Sequence, residues 1–319
     1  GDESLSSRPM SRVINPLIEM GADIKSSNGK LPISLSTASF QKQYTYELPV
    51  ASAQVKSSIL LAGLASGIGI KIIEPIQTRD HTERMLKNFG ANLEITLQDG
   101  KNVIQLAPSN NLQAKDYTVV GDISSAAFLI VAALISNSSG LEITNVGMNP
   151  SRTGILLALE KMGAIIEVKN QRLESGEPCA DLEVKRSTLR GVELSGEIIP
   201  NIIDEIPILS IAAAFADGET LIRDAAELRV KESDRLKAIS DGFGSLGIIH
   251  KNFEDGMSII GNPNTLSIKQ PTFLESHDDH RIAMSFLIAG LKCSKPITVK
   301  DCNNIFTSFP NFIELISSI

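Results

Sequence analysis

Arg229, Lys231, Glu232, Asp234 and Arg235 place five charged side chains in seven positions between apolar flanks. A second compact cluster, Asp279-His280-Arg281, follows later in the chain. If the first run opens a helix, Lys231, Asp234 and Arg235 share one face at i, i+3 and i+4. A mixed-charge surface helix gives the same pattern and is the default reading of any such run. Two features point instead to anion chemistry. The run follows an apolar, strand-like stretch, Thr220-Leu221-Ile222, and the second Arg-bearing cluster occupies an equivalent place in a later repeat.

Further polar clusters stand where helices are expected to begin: Ser52-Ala53-Gln54, Thr78–Glu83, Asp122–Ser125, Asn149–Arg152 and Asp204-Glu205. Free backbone N–H groups and the helix dipole make such ends suited to anions. Ser or Asp there also reads simply as an N-cap, and that reading covers Asp122, Ser124 and Ser125. It covers Arg79, Lys231, Arg235 and Arg281 less well, because cations at a helix start oppose the dipole. A bound anion would remove the conflict, and several such ends converging between two domains would form one polyanion site.

The elements that must position these residues recur at a spacing of roughly 70 to 80 residues, far longer than a solenoid period. Each unit runs from a polar cluster into an Ala/Leu/Ile-rich helix, then a strand, a second polar cluster, and a helix ending near Gly. The expected helices include 8–20, kinked at Pro16, and 55–64. The expected strands are 31–35, 70–73, 141–144, 220–222 and 297–299. Gly90, Gly163 and Gly247 read as helix stops. Alternation of this kind predicts an α/β fold, and helices apolar all round predict burial inside a domain. A domain boundary is expected near Val119–Gly121, giving domains 1–120 and 121–319.

The chain has 319 residues, a net charge of −7 and three cysteines, Cys179, Cys293 and Cys302. The acidic balance excludes nucleic-acid binding through a global basic field. No apolar run reaches the ~18 residues of a membrane span. The cysteines show no metal-ligand spacing, and three scattered thiols suit a reducing, cytoplasmic setting. His81 and Glu83 are placed to bond one another or to meet a ligand. The start at Gly1-Asp2 reads as lying inside a longer protein.

These stretches resemble the 5-enolpyruvylshikimate-3-phosphate synthase family. The resemblance rests on Arg8-Pro9-Met10, Leu48 to Lys56, Thr78 to Arg84, Ile203 to Pro207, Arg229 to Arg235, Asp279 to Met284, and Thr307-Ser308-Phe309-Pro310. Ser52-Ala53-Gln54-Val55-Lys56 and Arg79 to Glu83 look like its glyphosate-insensitive class II branch, from which Gly1-Asp2-Glu3 departs. The resemblance implies a two-domain inside-out α/β barrel of repeated βαβαββ units, with the N-terminal domain incomplete here. It implies transfer of the enolpyruvyl group of phosphoenolpyruvate to the 5-hydroxyl of shikimate-3-phosphate, with no cofactor and no metal.

By the same resemblance, Asp204 holds or deprotonates the hydroxyl, and Glu232 moves the proton at C3 of the donor. Lys231, Arg235 and Arg281 grip phosphoenolpyruvate, the two arginines by bidentate contact with its carboxylate. Arg8 and Gln54 meet the donor's phosphate. Ser52, Ala53, Gln54, Thr78 and Arg79 hold shikimate-3-phosphate. His280 lies beside the site or caps a helix. Thr307 stands where the family pattern carries a Lys. The family's Lys-Ser loop and Gly-Asn-Ala-Gly-Thr loop do not occur in this chain. Two alternatives follow: an inactive structural fragment that needs its N-terminal segment, and UDP-N-acetylglucosamine enolpyruvyl transferase. The expected state is a monomer when complete, with association through the incomplete N-terminal domain as the other outcome.

Overall fold

A computed structural model describes residues 6, 8–36, 39–108, 112–136 and 140–317. The chain divides into two compact units, 1–119 with 175–177, and 120–174 with 178–319.

In the first unit, helix α1 (Ser11–Met20) leads into a hairpin of β1 (Asp23–Ser27) and β2 (Lys30–Ser36). Then come β3 (Gln43–Glu47), α2 (Ala53–Ser66), β4 (Gly69–Glu74), α3 (His81–Asn88), β5 (Leu93–Gln98) and β6 (Lys101–Leu106). Their sheet order is β3-β4-β6-β5, with only the β3–β4 pair parallel. A parallel pair needs a crossover, which α2 supplies, whereas β5 and β6 need only a tight turn. This is one βαβαββ repeat. Its core joins Met20 of α1, Val55, Ile59 and Leu60 of α2, and Ile70 and Ile72 of β4.

The second unit repeats the motif. Helix α4 (Ile123–Ile135), β7 (Leu141–Gly147), α5 (Gly154–Lys161), β8 (Ile165–Glu174) and β9 (Glu177–Lys185) make a sheet ordered β7-β9-β8. An isolated parallel bridge, Gly121 to Val146, stands for the first strand of that repeat. Next are β10 (Glu193–Leu194), α6 (Ile199–Ile202), α7 (Ile206–Ala214), β11 (Gly218–Ile222), α8 (Arg235–Leu246), β12 (Ile249–Phe253) and β13 (Gly256–Gly261), ordered β10-β11-β13-β12. The last elements are β14 (Thr272–Glu275), α9 (His280–Gly290), the parallel β15 (Ile297–Lys300), α10 (Asn303–Ser308) and α11 (Phe312–Ile316).

Three helices form the middle of this unit: α4, α7 and α9 pack on one another. Every residue of α7 is buried, and α4 is buried from Ile123 to Ile135 except at Ser125. Helices with no polar stripe have only their ends left to meet water, which confines side-chain chemistry to those ends. Gly21, Gly90, Gly163 and Gly247 adopt positive φ just past helix ends, the conformation that suits a left-handed stop.

The strand expected at 31–35 is β2, which pairs with the unexpected β1 in a hairpin, and the first helix begins at Ser11 rather than Arg8. Strand β1 (Asp-Ile-Lys-Ser-Ser) carries one partly buried residue, so it lacks the apolar alternation that marks a strand in sequence.

Within α8, Gly242 and Gly244 differ sharply. A Cβ at Gly242 would lie 2.0 Å from the Phe286 ring of α9, while one at Gly244 would meet nothing within 4 Å. Alanine in a helix gains about 1 kcal/mol over glycine, but forced overpacking costs about 1–3 kcal/mol and occasionally more. Gly242→Ala should therefore lower the urea midpoint and Gly244→Ala should raise it. A Gly242→Ala protein as stable as wild type would show that the α8–α9 contact is not close-packed.

Candidate active site

In the second unit the starts of α7, α8 and α9 bring together six of the residues singled out from sequence. Arg235 is the centre. Its side chain is 1% exposed and its partner Asp279 is fully buried. Arg235 Nε donates to Asp279 Oδ2 at 2.8 Å, and Nη2 donates to Glu232 Oε2 at 2.6 Å. Nη1 lies 3.6 Å from Asp204 Oδ1 and is a buried nitrogen without a hydrogen-bond partner. Lys231 Nζ stands 3.5 Å from the same Asp204 oxygen and 2.8 Å from Glu227. Arg281 Nη1 donates to the Asp204 carbonyl at 3.0 Å and lies 3.6 Å from Glu205. One carboxylate, Asp204, thus faces two cations, with a second carboxylate, Glu232, on the other arm of Arg235.

The charge run does not open a helix as one face. It crosses a 3₁₀ turn (Ala226–Val230), Lys231 is extended, and α8 begins only at Arg235, capped by Asp234. Arg229 and Asp234 are structural: Arg229 Nη1 meets Asp234 at 3.0 Å, and its other nitrogens donate to the carbonyls of Phe253 and Glu254. The conflict of a cation at a helix start is met by carboxylates in the case of Arg235. Two of its three nitrogens are committed to them, so the bidentate grip expected of it is not available in this arrangement.

Asp279 does double duty. Its Oδ1 accepts the N–H of Arg281 at 2.9 Å, capping α9, while Oδ2 holds Arg235 and the Ser233 hydroxyl. His280 is therefore the first residue of α9 and not its cap. Burial, with Arg281 next, pushes the His280 imidazole below its ordinary range, so it is neutral at neutral pH. The turn before it holds His277 and Asp278 at φ 54° and 55°. Left-handed backbone at non-glycine residues costs on the order of 1–3 kcal/mol each.

Asp204 does not cap α7, which starts at Ile206 behind Glu205 with no side-chain cap bond. Glu205 instead is buried and receives the Ser124 hydroxyl at the start of α4. Arg152 donates to Ser124 at 2.6 Å and to Asp122 at 2.7 Å. Burial pushes the Glu205 carboxyl up, against the pull of Arg281 and Ser124. Asp122 caps α4 as expected, accepting the Ser124 N–H. The ends of α4, α7 and α9 are thereby linked through Ser124, Glu205 and Arg281. Glu205, Ser124 and Arg152 were not picked out as site-builders. For Ser124 and Glu205 the signal was a polar residue at the head of an almost wholly apolar helix.

The first unit carries its own cluster. Ser52 caps α2, accepting the Val55 N–H at 3.4 Å, with Ala53 and Gln54 in the first turn. Thr78 and Arg79 lie on the link from β4 to α3. The two stretches are tied by buried Lys56, which contacts Glu74 and Glu83 at 2.9 and 2.6 Å. His81 and Glu83 do not pair: His81 Nδ1 bonds Glu177 at 2.8 Å. Arg8 is exposed, ahead of α1. Among the described residues, no three His, Cys, Asp or Glu side chains form a group that could hold a metal. No helix among them is long and apolar enough to cross a membrane.

The family model for EPSP synthase (3-phosphoshikimate 1-carboxyvinyltransferase) matches residues 1–316. The chain belongs to the EPSP synthase family. A 3-phosphoshikimate 1-carboxyvinyltransferase from Vesicomyosocius okutanii is 48% identical over 319 residues, covering all of this chain and 72% of that protein. One from Pseudomonas sp. strain PG2982 is 47% identical over 321 residues, covering all of this chain and 71% of its own length. The solved EPSP synthase from Acinetobacter baumannii has a TM-score of 0.88 at 44% identity, over 100% of this chain and 72% of that one. The enolpyruvyl transferase NikO from Streptomyces tendae shares the fold, with a TM-score of 0.74 at 19% identity. The two-domain α/β architecture expected from the EPSP synthase resemblance is the one these structures have.

Two outcomes test this geometry. Removing one partner of a buried ion pair costs about 3–5 kcal/mol, so Asp279→Ala should lose that much in chemical denaturation. A loss under about 1 kcal/mol, the scale of a surface pair, would show that the pair anchors nothing. The second concerns His280. Its folded-state proton affinity lies below that of the unfolded chain, so its contribution to stability is full above the ordinary imidazole range and is lost as pH falls below it. His280→Asn should therefore flatten the loss of stability between about pH 7 and pH 5. An unchanged acid-side slope would contradict burial of a neutral imidazole.

Proposed function

We propose that this chain transfers the enolpyruvyl group of phosphoenolpyruvate to the 5-hydroxyl of shikimate-3-phosphate, releasing phosphate, with the residues assembled above. The observation that carries the reading is Asp204, one carboxylate held within 3.6 Å of both Lys231 and Arg235 and braced through its backbone by Arg281. The reaction joins the acceptor oxygen to C2 of the donor and adds a proton at C3; the tetrahedral adduct then expels phosphate as a proton is taken back from C3, which restores the double bond. It needs a base at the hydroxyl, an acid at C3, and cations for phosphate and carboxylate.

Asp204 takes the hydroxyl proton. Its neighbours hold the carboxylate in place, and acceptance of a proton frees Lys231 for the negative charge that builds on the donor. Glu232, on the outer arm of Arg235, delivers the proton to C3 and takes one back as phosphate leaves. Arg281 and Lys231 hold the donor's charged groups, and Arg235 contributes its uncommitted Nη1 as a single donor. The neutral His280 adds no competing charge. Gln54 and Arg8 serve the donor's phosphate. Ser52, the Ala53 backbone, Gln54, Thr78 and Arg79 hold shikimate-3-phosphate. The three free, separate thiols support a cytoplasmic setting.

General acid–base groups contribute about 10²–10⁴-fold. Asp204→Asn and Glu232→Gln should each lower turnover by that order, read as phosphate release, while calorimetric affinity for shikimate-3-phosphate and phosphoenolpyruvate changes far less. Turnover near wild type in either variant removes that residue from the proton path.

A further inference from the structure

Three charged side chains lie in the core of the first unit. Lys56 is 1% exposed, and Glu74 and Glu83 are each 2% exposed. They sit among Val55, Ile59, Leu60 and Ile72. A buried ion pair is weak support for stability, because desolvation offsets the attraction and apolar side chains of similar volume do as well or better. This one is also imperfect: Glu83 Oε2 is buried without a hydrogen-bond partner. Stability alone does not account for it.

Its position does. Lys56 stands in the first turn of α2, two residues beyond Gln54. Glu74 ends β4, and Glu83 is in the first turn of α3. The link that bears Thr78 and Arg79 runs between the two glutamates. Glu74 Oε1 accepts three donors: Lys56 Nζ at 2.9 Å, the Thr78 N–H at 3.0 Å and the Thr78 hydroxyl at 2.5 Å. Asn102 reaches Oε2 at 3.4 Å. A second stitch, Ser57 to Thr82 at 2.7 Å, joins the same two helices.

We propose that Glu74 is a positioning residue for shikimate-3-phosphate. It folds the 75–80 link onto itself through Thr78, and Lys56 fixes that link in register with Ser52–Gln54. The inference rests on the assignment of Thr78, Arg79 and Ser52–Gln54 to that substrate. Without Glu74, the link keeps its residues but loses the carboxylate that accepts both the N–H and the hydroxyl of Thr78, and the stretch that carries Arg79 is less firmly set.

The test uses the full chain with Glu74→Gln, Thr78→Val and the double substitution. The readouts are amide hydrogen exchange and calorimetry with shikimate-3-phosphate and with phosphoenolpyruvate. In Glu74→Gln, the Thr78 amide should exchange about tenfold faster, the scale of one lost charge-assisted bond, with protection of β6 unchanged. The dissociation constant for shikimate-3-phosphate should rise by a similar factor, and that for phosphoenolpyruvate should not move. In the Thr78→Val background, Glu74→Gln should add less than about threefold, because the two act as one unit. Unchanged Thr78 exchange, or effects that multiply, overturns the proposal. If Glu74→Gln also strips β6 of protection, the triple variant Lys56→Met, Glu74→Met, Glu83→Met supplies an apolar replacement core. Weakened shikimate-3-phosphate binding in that folded variant supports the proposal, and wild-type binding overturns it. If the unsubstituted chain does not bind shikimate-3-phosphate, the substrate assignment fails, and the exchange measurement alone decides whether Glu74 orders the link.

Discussion

The burial of Arg235 against Asp279 is the constraint on which the second unit's chemistry depends. A guanidinium and a carboxylate withdrawn from water must satisfy one another almost completely, since either left alone is costly. Asp279 meets that demand while capping α9, so the pair fixes the head of one helix against the head of another. Once Arg235 is immobile, its remaining nitrogens define where Glu232 and Asp204 can be. The exposed side of the cluster is thereby set by a pair that is itself buried beneath it.

Why the chemistry gathers at helix starts follows from composition. Helices α4 and α7 have almost no polar side chains, so they go to the middle of the unit and leave only their termini for polar groups. A helix's first turn has N–H groups with no partner inside the helix and carries the positive end of the dipole. Buried Glu205 at the head of α7 is one answer to that field, and Ser124 and Arg281 hold it there. The left-handed pair His277 and Asp278 lies immediately ahead of the third such head. Backbone strain of this kind persists only where the surroundings over-determine it, and here the Ser276 hydroxyl donates to the Asp301 carbonyl and the Asn304 amide donates to the Asp278 carbonyl.

The first unit solves the same problem with a different device. It has one βαβαββ repeat and a smaller core, and it ties the head of one helix to the link before the next with a buried Lys and two Glu rather than with an Arg and an Asp. In both units a charged residue one turn or less into a helix is drawn inside, and its buried counter-charges, Asp279 for Arg235 and Glu74 and Glu83 for Lys56, come from segments distant in sequence. A charge in that place specifies which segments must meet, whereas an apolar side chain would accept many neighbours.

The repeated α/β alternation, the wholly apolar helices and the glycine stops were determined by sequence alone, because each is a local property: periodicity, the absence of a polar stripe, or a backbone conformation that glycine adopts easily. The residue types at the site were also legible, in the runs 229–235 and 279–281. What sequence could not assign was the partner of each charge. Arg229 and Arg235 look alike in the run, yet one clamps two carbonyls at the surface and the other is buried on Asp279. His81 and Glu83 look like a pair, yet each finds a partner elsewhere. Strand β1 carries no pattern at all and exists because β2 offers it a ladder. Ion pairs and strand pairs join residues far apart in the chain, and their energies depend on burial, which only the packed structure creates.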